Sequence, residues 1–359
     1  MRMVIPFIPT KRALPPGAST PTAARGWTLE IRTGRGLLRG RAMVLIGVSV
    51  LLPLLASMLG GYEARYALSV SVPLAIAILG GNIVSSTAGD VNLALGAEMA
   101  IGAYSAAYGE AHGLGLLLSV LMAIIVTAVA TAIVSLGIVR LSGVYTALAT
   151  FAFAFCIPDL TTYLASVTGG GVGEYVLPVK FAGLSLGGAS MAEVYVAMGA
   201  FLILSVAWLA ILSGRAGRVM LLLGDAEPAL VAFGRSVYWL KMAVWVGGGI
   251  VAGIAGVLYG MAVGYLNPQE FTFYLSLYLF VGGVVGGTVS PMGALVGGLI
   301  VGMVPIYLGG KQGGVEDVLF GVLLMAALLI GRRGLWPRVE GAAARIRAKS
   351  GGTAGGSSV

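Results

Sequence analysis

Charge is what this sequence has least of. Of its 359 residues only 10% are Asp, Glu, Lys or Arg, while 58% are apolar, and the mean hydropathy is +0.97. A soluble domain carries roughly 25% charged residues, so there is too little charge here to coat a soluble globule of this length. The surrounding medium that fits such a surface is lipid. Cysteine is scarcer still: Cys156 stands alone in an apolar run, which excludes a disulfide framework and a multi-cysteine metal site. The one histidine, His112, has Glu110 as its nearest carboxylate and reads as a solvated loop residue. That excludes a His-based triad, and no His/Cys/carboxylate cluster offers a metal site. A phosphate loop is also missing, because Gly309-Gly310-Lys311-Gln312 lacks the Gly-x-x-x-x-Gly-Lys-Ser/Thr spacing. The expectation is a chain that is not an enzyme and takes no cofactor or metal.

What is present is a series of long apolar runs. A bilayer core about 30 Å thick needs about 20 residues of helix, and ten segments qualify: 42–60, 66–87, 91–108, 114–139, 144–165, 191–213, 239–263, 272–289, 292–309 and 315–331. The third and ninth are short and rich in Gly and Ala. A membrane β-barrel would instead alternate apolar and polar residues in segments of about ten. The 57 glycines follow no collagen-like triplet and suit helices whose backbones approach closely. The predicted fold is therefore an all-α polytopic membrane helix bundle of about ten transmembrane helices.

The basic residues orient it. With the N-terminus in the cytoplasm and ten crossings, 19 of the 22 Lys and Arg residues fall in cytoplasmic segments, and only Arg65, Lys180 and Lys311 fall outside. This is the asymmetry that the positive-inside rule demands. It implies a multi-pass protein of the cell membrane with both termini cytoplasmic. It also accounts for the net charge of +8 without any nucleic-acid partner. Residues 1–41 are rich in Arg, Pro and Thr and nearly free of acid, as a transit peptide would be, but they read more simply as a disordered cytoplasmic tail. Residues 42–338 form the transmembrane domain, and 339–359 form a second, Gly/Ser/Ala-rich disordered cytoplasmic tail.

Ten spans divide as five plus five, and an odd number per half inverts the second half, which is a common transporter plan. Two polar, small-residue breaks stand out: Ser85-Ser86-Thr87-Ala88-Gly89-Asp90 and Gly286-Gly287-Thr288-Val289-Ser290-Pro291. Ionisable residues within membrane segments are functional suspects by default. Here they are Glu98, Asp159 and, nearer a span end, Asp90, with Asn92 sharing the Asp90 segment; helix capping or an interfacial position is the structural alternative for each. Gly249, Gly253, Gly256, Gly260 and Gly264, with the pairs Gly282/Gly286, Gly283/Gly287, Gly293/Gly297 and Gly298/Gly302, make flat helix faces for packing.

The longest expected cytoplasmic loop, 213–238, contains a short bounded helix. Gly224-Asp225-Ala226-Glu227-Pro228 introduces Ala229 to Phe233, and Gly234 follows. Pro in the first turn, acids at the N-terminus and Gly after the end are the expected boundary residues. Importer permeases offer such helices to ATPase subunits, with Ala229, Ala232 and Phe233 here supplying the contact surface.

Several ordered segments carry a family resemblance. They are Ala88 to Gly96 with Ile101-Gly102-Ala103-Tyr104; Leu141-Ser142-Gly143-Val144-Tyr145-Thr146-Ala147-Leu148-Ala149-Thr150-Phe151; Thr168-Gly169-Gly170-Gly171-Val172-Gly173; and Gly217-Arg218 through Asp225, Glu227, Ala229 and Gly234 to Lys241. Asn267 to Phe273 and Gly282 to Gly287 follow in the same order. Over roughly residues 66–338 the chain resembles the permeases of branched-chain amino-acid (Liv-type) ABC importers. It departs from them at Leu95, where the family usually has His, at Leu221 and Gly224, where basic residues are usual, and at Glu98, where an apolar or aromatic residue is usual. The resemblance implies an alternating-access path for a branched-chain amino acid, or for urea, an amide or another small polar solute. It also implies cytoplasmic ATP-binding subunits, a second homologous permease and an extracytoplasmic solute-binding protein as partners. Tyr145, Thr146 and Thr150 join Asp90, Asn92, Glu98 and Asp159 as substrate-path candidates. An ion-coupled secondary transporter using Asp90, Glu98 or Asp159 is the alternative from the residues alone; a membrane enzyme would need a catalytic cluster that is not found.

Overall fold

The long apolar runs fold as helices close to their expected limits. A computed structural model describes residues 61–309, with short breaks at 142, 177–178, 182–183 and 188–189, together with 43–49, 51–54 and residues 318, 321, 322 and 325. Within it lie α1 (Tyr62–Thr87), α2 (Leu95–Ala111), α3 (Gly115–Ile138), α4 (Val144–Tyr163) and the single turn α5 (Ala165–Thr168). After a longer loop come α6 (Met191–Ser213), α7 (Arg215–Asp225), α8 (Glu227–Ala232), α9 (Val237–Val263), α10 (Phe273–Gly286) and α11 (Pro291–Val304). Five of these, α1, α3, α4, α6 and α9, are long and apolar enough to cross a membrane. Residues 43–49 and 51–54 are helical, in the first expected span. Most of the expected tenth span and both expected tails lie outside the described residues.

Several boundaries differ from expectation by three to five residues, α1 starting at Tyr62 where 66 was expected, and two of the differences have a visible cause. The third span starts at Leu95 rather than 91, because 91–94 continues the non-helical break that begins at Ala88. The ninth keeps α-helical geometry only to Val304 and then widens into a π-helical turn, Pro305–Gly309.

α1 is the centre of the bundle. It packs most extensively against α9 and α11 and also meets α6 and α10. Two of its buried hydroxyls bond within the helix: Ser69 Oγ donates to Tyr66 O at 2.9 Å and Ser71 Oγ to Ala67 O at 2.5 Å. Small residues set the crossings. A Cβ on Gly80 would come within 2.6 Å of the Gly248 carbonyl of α9. A Cβ on Gly256 would overlap the Met99 carbonyl of α2, and one on Gly298 would overlap Ala75 of α1. The glycine faces are therefore packing faces, as their spacing predicts, with two exceptions. A Cβ on Gly264 would meet no neighbour, and Gly264 ends α9 at φ 76° as a left-handed cap; Gly287 likewise lies just past the end of α10, at φ 113°.

The rim helices turn the opposite way from a soluble amphipathic helix. α3 buries Ser119, Ala123, Thr127, Thr131 and Ser135 at four-residue steps and exposes Leu117, Leu121, Ile125, Val129 and Ile133. α4 buries Thr146, Thr150, Ala154 and Thr161. At one end of the bundle a small β-pair joins β1 (Glu174–Tyr175) to β4 (Tyr265–Leu266), and a hairpin joins β2 (Val179–Phe181) to β3 (Leu184–Leu186). The Thr-Gly-Gly-Gly-Val-Gly segment leads into that pair. Thr168 Oγ1 donates to the Thr161 carbonyl at the end of α4, and Gly169 and Gly173 take φ of 72° and 85°, a region that disfavours any Cβ.

Candidate translocation site and coupling segment

The first small-residue break leaves the N-terminus of α2 inside the protein, where its free N–H groups need partners. Side chains provide them. Thr150 Oγ1 accepts from Leu93 N at 3.2 Å, Asn92 Oδ1 from Ala94 N at 2.8 Å, and Ser276 Oγ from Gly96 N at 2.9 Å. The break is thereby tied to α4 and α10 as well as to α2. Glu98 sits in the first turn of α2, 2% exposed, and accepts from Asn92 Nδ2 at 3.3 and 3.4 Å. An acid at the positive end of a helix is electrostatically favoured, and the amide orients the carboxylate.

The second break comes to the same place. Asn82 Nδ2 of α1 donates to Gly287 O at 3.4 Å, where Gly287 has φ 113°. A small pocket opens here between α1, α10 and the two breaks. Its polar lining is Asn82, Ser85, Asn92 and Thr288, and its apolar lining includes Ile78, Leu95, Leu279 and Phe280. Asn82, Asn92, Ser85 and Thr288 can donate and accept hydrogen bonds without carrying charge.

The seven substrate-path candidates divide. Asn92, Glu98 and Thr150 are joined through the break, and Thr146 is buried one turn from Thr150, its hydroxyl without a hydrogen-bond partner among the described residues. Asp90 is buried beside them in sequence, but its carboxylate accepts from Trp245 Nε1 of α9 at 3.4 Å. Tyr145 and Asp159 point away on the exposed face of α4; helical periodicity puts them opposite the threonine stripe. Asn82, Trp245 and Ser276 were missed by sequence reading. Asn82 was hidden in an apolar run, where a lone amide is itself a signal. Trp245 looked like one more apolar residue of its span.

The 213–238 segment holds more helix than expected. α7 precedes the short helix, with Leu223 buried and Arg215 and Arg218 exposed. Asp225 therefore closes α7 instead of merely introducing α8, which places it at the negative end of that helix. α8 has Pro228 in its first turn and Gly234, at φ 70°, just beyond its end, as its boundary residues predict. Leu230 anchors α8 in the bundle, while Val231, Ala232 and Phe233 face outward, Phe233 being 78% exposed. Ala229 is half-buried, so it is turned further inward than a pure contact residue would be. Glu227 Oε1 pairs with Lys241 Nζ at 2.5 Å, and Gly224 lies against the Thr87 carbonyl. Across this end, Tyr238 donates to Leu136 O at 3.3 Å and the Arg140 guanidinium stands 5.8 Å above the Tyr238 ring. Arg140, Arg215, Arg218, Arg235 and Lys241 thus share one end of the bundle with the first break.

A helix bundle with small and polar faces inward, apolar faces outward and two interrupted segments beside a small pocket suits a membrane transport permease. The chain belongs to the family of permease components of branched-chain amino acid transport systems, whose sequence profile matches residues 64–328. It is accordingly a multi-pass membrane protein and an ABC-type permease for branched-chain amino acids or related substrates. No curated protein and no solved structure matches the chain.

Proposed function

We propose that this chain is one membrane-spanning subunit of an ATP-driven importer that moves a branched-chain amino acid by alternating access. In this reading about ten spans form two inverted halves of five, within a membrane domain of residues 42–338. Both terminal tails and the 213–238 segment are cytoplasmic. Two cytoplasmic ATP-binding subunits, a second homologous permease and an extracytoplasmic solute-binding protein complete the system. Asn92, Glu98, Thr146 and Thr150 belong to the path with Asp90, whereas Tyr145 and Asp159 are better placed to meet lipid or the second permease. The same fold suits urea, an amide or another small polar solute, and the uncharged pocket lining is compatible with each.

The observation that carries the importer reading is α8: a short bounded helix anchored by Leu230, presenting Val231, Ala232 and Phe233 to solvent at the Arg-rich end. A secondary carrier would need no such surface. It would also want its acids grouped, and Asp159 is exposed on α4 while Asp90 and Glu98 are buried. The test is co-purification with the ATP-binding subunits followed by ATP-dependent uptake in vesicles. Ala232→Arg and Phe233→Asp are expected to release the ATPases or abolish uptake without affecting membrane insertion. Wild-type retention and uptake in both variants would sink the reading.

A further inference from the structure

The coupling segment reaches the first break by two routes, one direct and one through α9. On the first, Gly224 at the end of α7 lies flat on the break. A Cβ there would stand 3.0 Å from the Thr87 carbonyl and 3.4 Å from Gly89 N. On the second, Glu227 in the first turn of α8 pairs with Lys241 at 2.5 Å, and the Lys241 side chain is itself almost wholly buried. One turn further along α9, on the same face by the four-residue rule, stands Trp245, 1% exposed, whose indole N–H donates to Asp90. Asp90 is two residues from Asn92, and Asn92 both lines the pocket and holds Glu98.

We propose that Lys241 and Trp245 are positioning residues that carry the movement of α8 to the Ala88–Ala94 break, so that the pocket changes shape when the ATP-binding subunits pull on the coupling helix. A rigid helix can transmit such a displacement because its interior backbone bonds keep Lys241 and Trp245 in fixed register. The break can yield because it is not helical and is held by side-chain hydrogen bonds, not by a continuous backbone ladder. Gly224 keeps the direct contact tight, since a side chain there would press on the Thr87 carbonyl. The coupling loop therefore grips the break from its surface side through Gly224 and from its core side through Trp245.

The inference rests on α8 being the ATPase docking helix, so the experiment separates the two. In the complete transporter, reconstituted in vesicles, ATP hydrolysis, ATPase retention and uptake are measured for Trp245→Phe, Lys241→Gln, Lys241→Arg and, beside them, Ala232→Arg. Trp245→Phe keeps the ring and loses only the N–H donor. Trp245→Phe and Lys241→Gln are expected to retain the ATPases and hydrolyse ATP, with solute moved per ATP falling about tenfold, a coupling loss of ordinary size. Lys241→Arg, which keeps the charge facing Glu227, should restore most of it. Wild-type uptake per ATP in Trp245→Phe and Lys241→Gln overturns the proposal, as does loss of assembly in Trp245→Phe, which would make Trp245 a packing residue. If Ala232→Arg keeps both retention and uptake, the docking reading fails instead. If it releases the ATPases while Trp245→Phe and Lys241→Gln stay fully coupled, only the relay fails.

Discussion

α1 and α3 are both long and apolar enough to cross a membrane, and α3 is the more apolar of the two; yet the apolar stretch of α1 is buried throughout, whereas only 22% of that of α3 is. In water the more apolar helix would be drawn to the core. In lipid, acyl chains solvate Leu and Ile as well as another helix does, so apolarity does not sort the helices. Close approach does: interfaces collect small and weakly polar residues. α1 brings Gly80, Gly81, Ser69, Ser71, Ala75 and Asn82 to its neighbours, and the inward face of α3 is Ser119, Ala123, Thr127, Thr131 and Ser135.

The largest effect should come from breaking the α1–α9 crossing. Gly80→Val places branched carbons against the Gly248 carbonyl and should cost about 3 kcal/mol or more, beyond the usual range for overpacking. Ile133→Ala on the exposed face of α3 should stay within about 0.5 kcal/mol, as surface changes do. Unfolding of the purified protein in bilayer-like micelles measures both, and similar losses in the two variants would end the contrast between core and rim.

Acids sharpen the comparison next. Glu98→Leu leaves the Asn92 amide buried without its acceptor and should destabilise by about 1–3 kcal/mol, together with lost uptake. Glu98→Gln should fold with a smaller loss but alter transport. Asp159→Asn, on the exposed face of α4, should change neither stability nor uptake. Uptake at wild-type level in Glu98→Gln, Glu98→Leu and Glu98→Ala alike would make Glu98 a structural bystander.

A smaller effect tests the inner face of α3. A Cβ on Gly253 would stand 2.6 Å from Thr127 Oγ1 and 2.8 Å from its Cγ2, so Gly253→Ala should cost about 1 kcal/mol, at the low end for overpacking. Thr127→Ala in the same chain removes both of those atoms and should recover part of that cost. Strict additivity in the double-mutant cycle would mean the two faces do not touch as described.

The smallest effect lies outside the spans. Burial pushes the Glu270 carboxyl above its ordinary value, with a hydrogen bond to Tyr259 opposing the shift. The folded protein then holds that proton more tightly than the unfolded chain. The resulting stability is full below the ordinary carboxylate range and declines as pH rises through the raised value. Glu270→Gln should remove this decline, so that the variant matches the wild type in acid and loses less than it between acid and neutral pH. Parallel stability–pH curves would place the carboxyl in solvent.

Much of this was legible in the residues. Span limits follow from uninterrupted apolar runs, and the boundaries of α8 follow from Pro228 and Gly234. The breaks announce themselves as clusters of Gly, Ser, Thr and Pro. Their convergence does not: one precedes the third expected span and the other the ninth, so they hold different places in the two halves, and they meet at a pocket that Asn82 of α1 also lines. α7 was missed, although Arg215 and Arg218 followed by Val219, Leu222 and Leu223 is an amphipathic pattern; the search there was for Pro and Gly boundaries, which α7 lacks. Tyr145 and Asp159 were chosen for chemical type, and only the facing of α4 separates them from Thr146 and Thr150.

The sequence by itself determined that this is a helical membrane protein of the permease family. Lipid cannot hydrogen-bond a bare backbone, so long apolar runs must become helices, and ordered motifs survive without reference to which helix lies beside which. Only the tertiary structure decided that α1 is the core and that two distant breaks share a pocket. It also decided that Asp90 answers to Trp245 and not to Glu98. Those outcomes depend on which small-residue faces meet, and with 57 glycines the sequence offers many candidate faces. Steric fit between particular backbones, such as Gly80 against Gly248 and Gly298 against Ala75, selects among them.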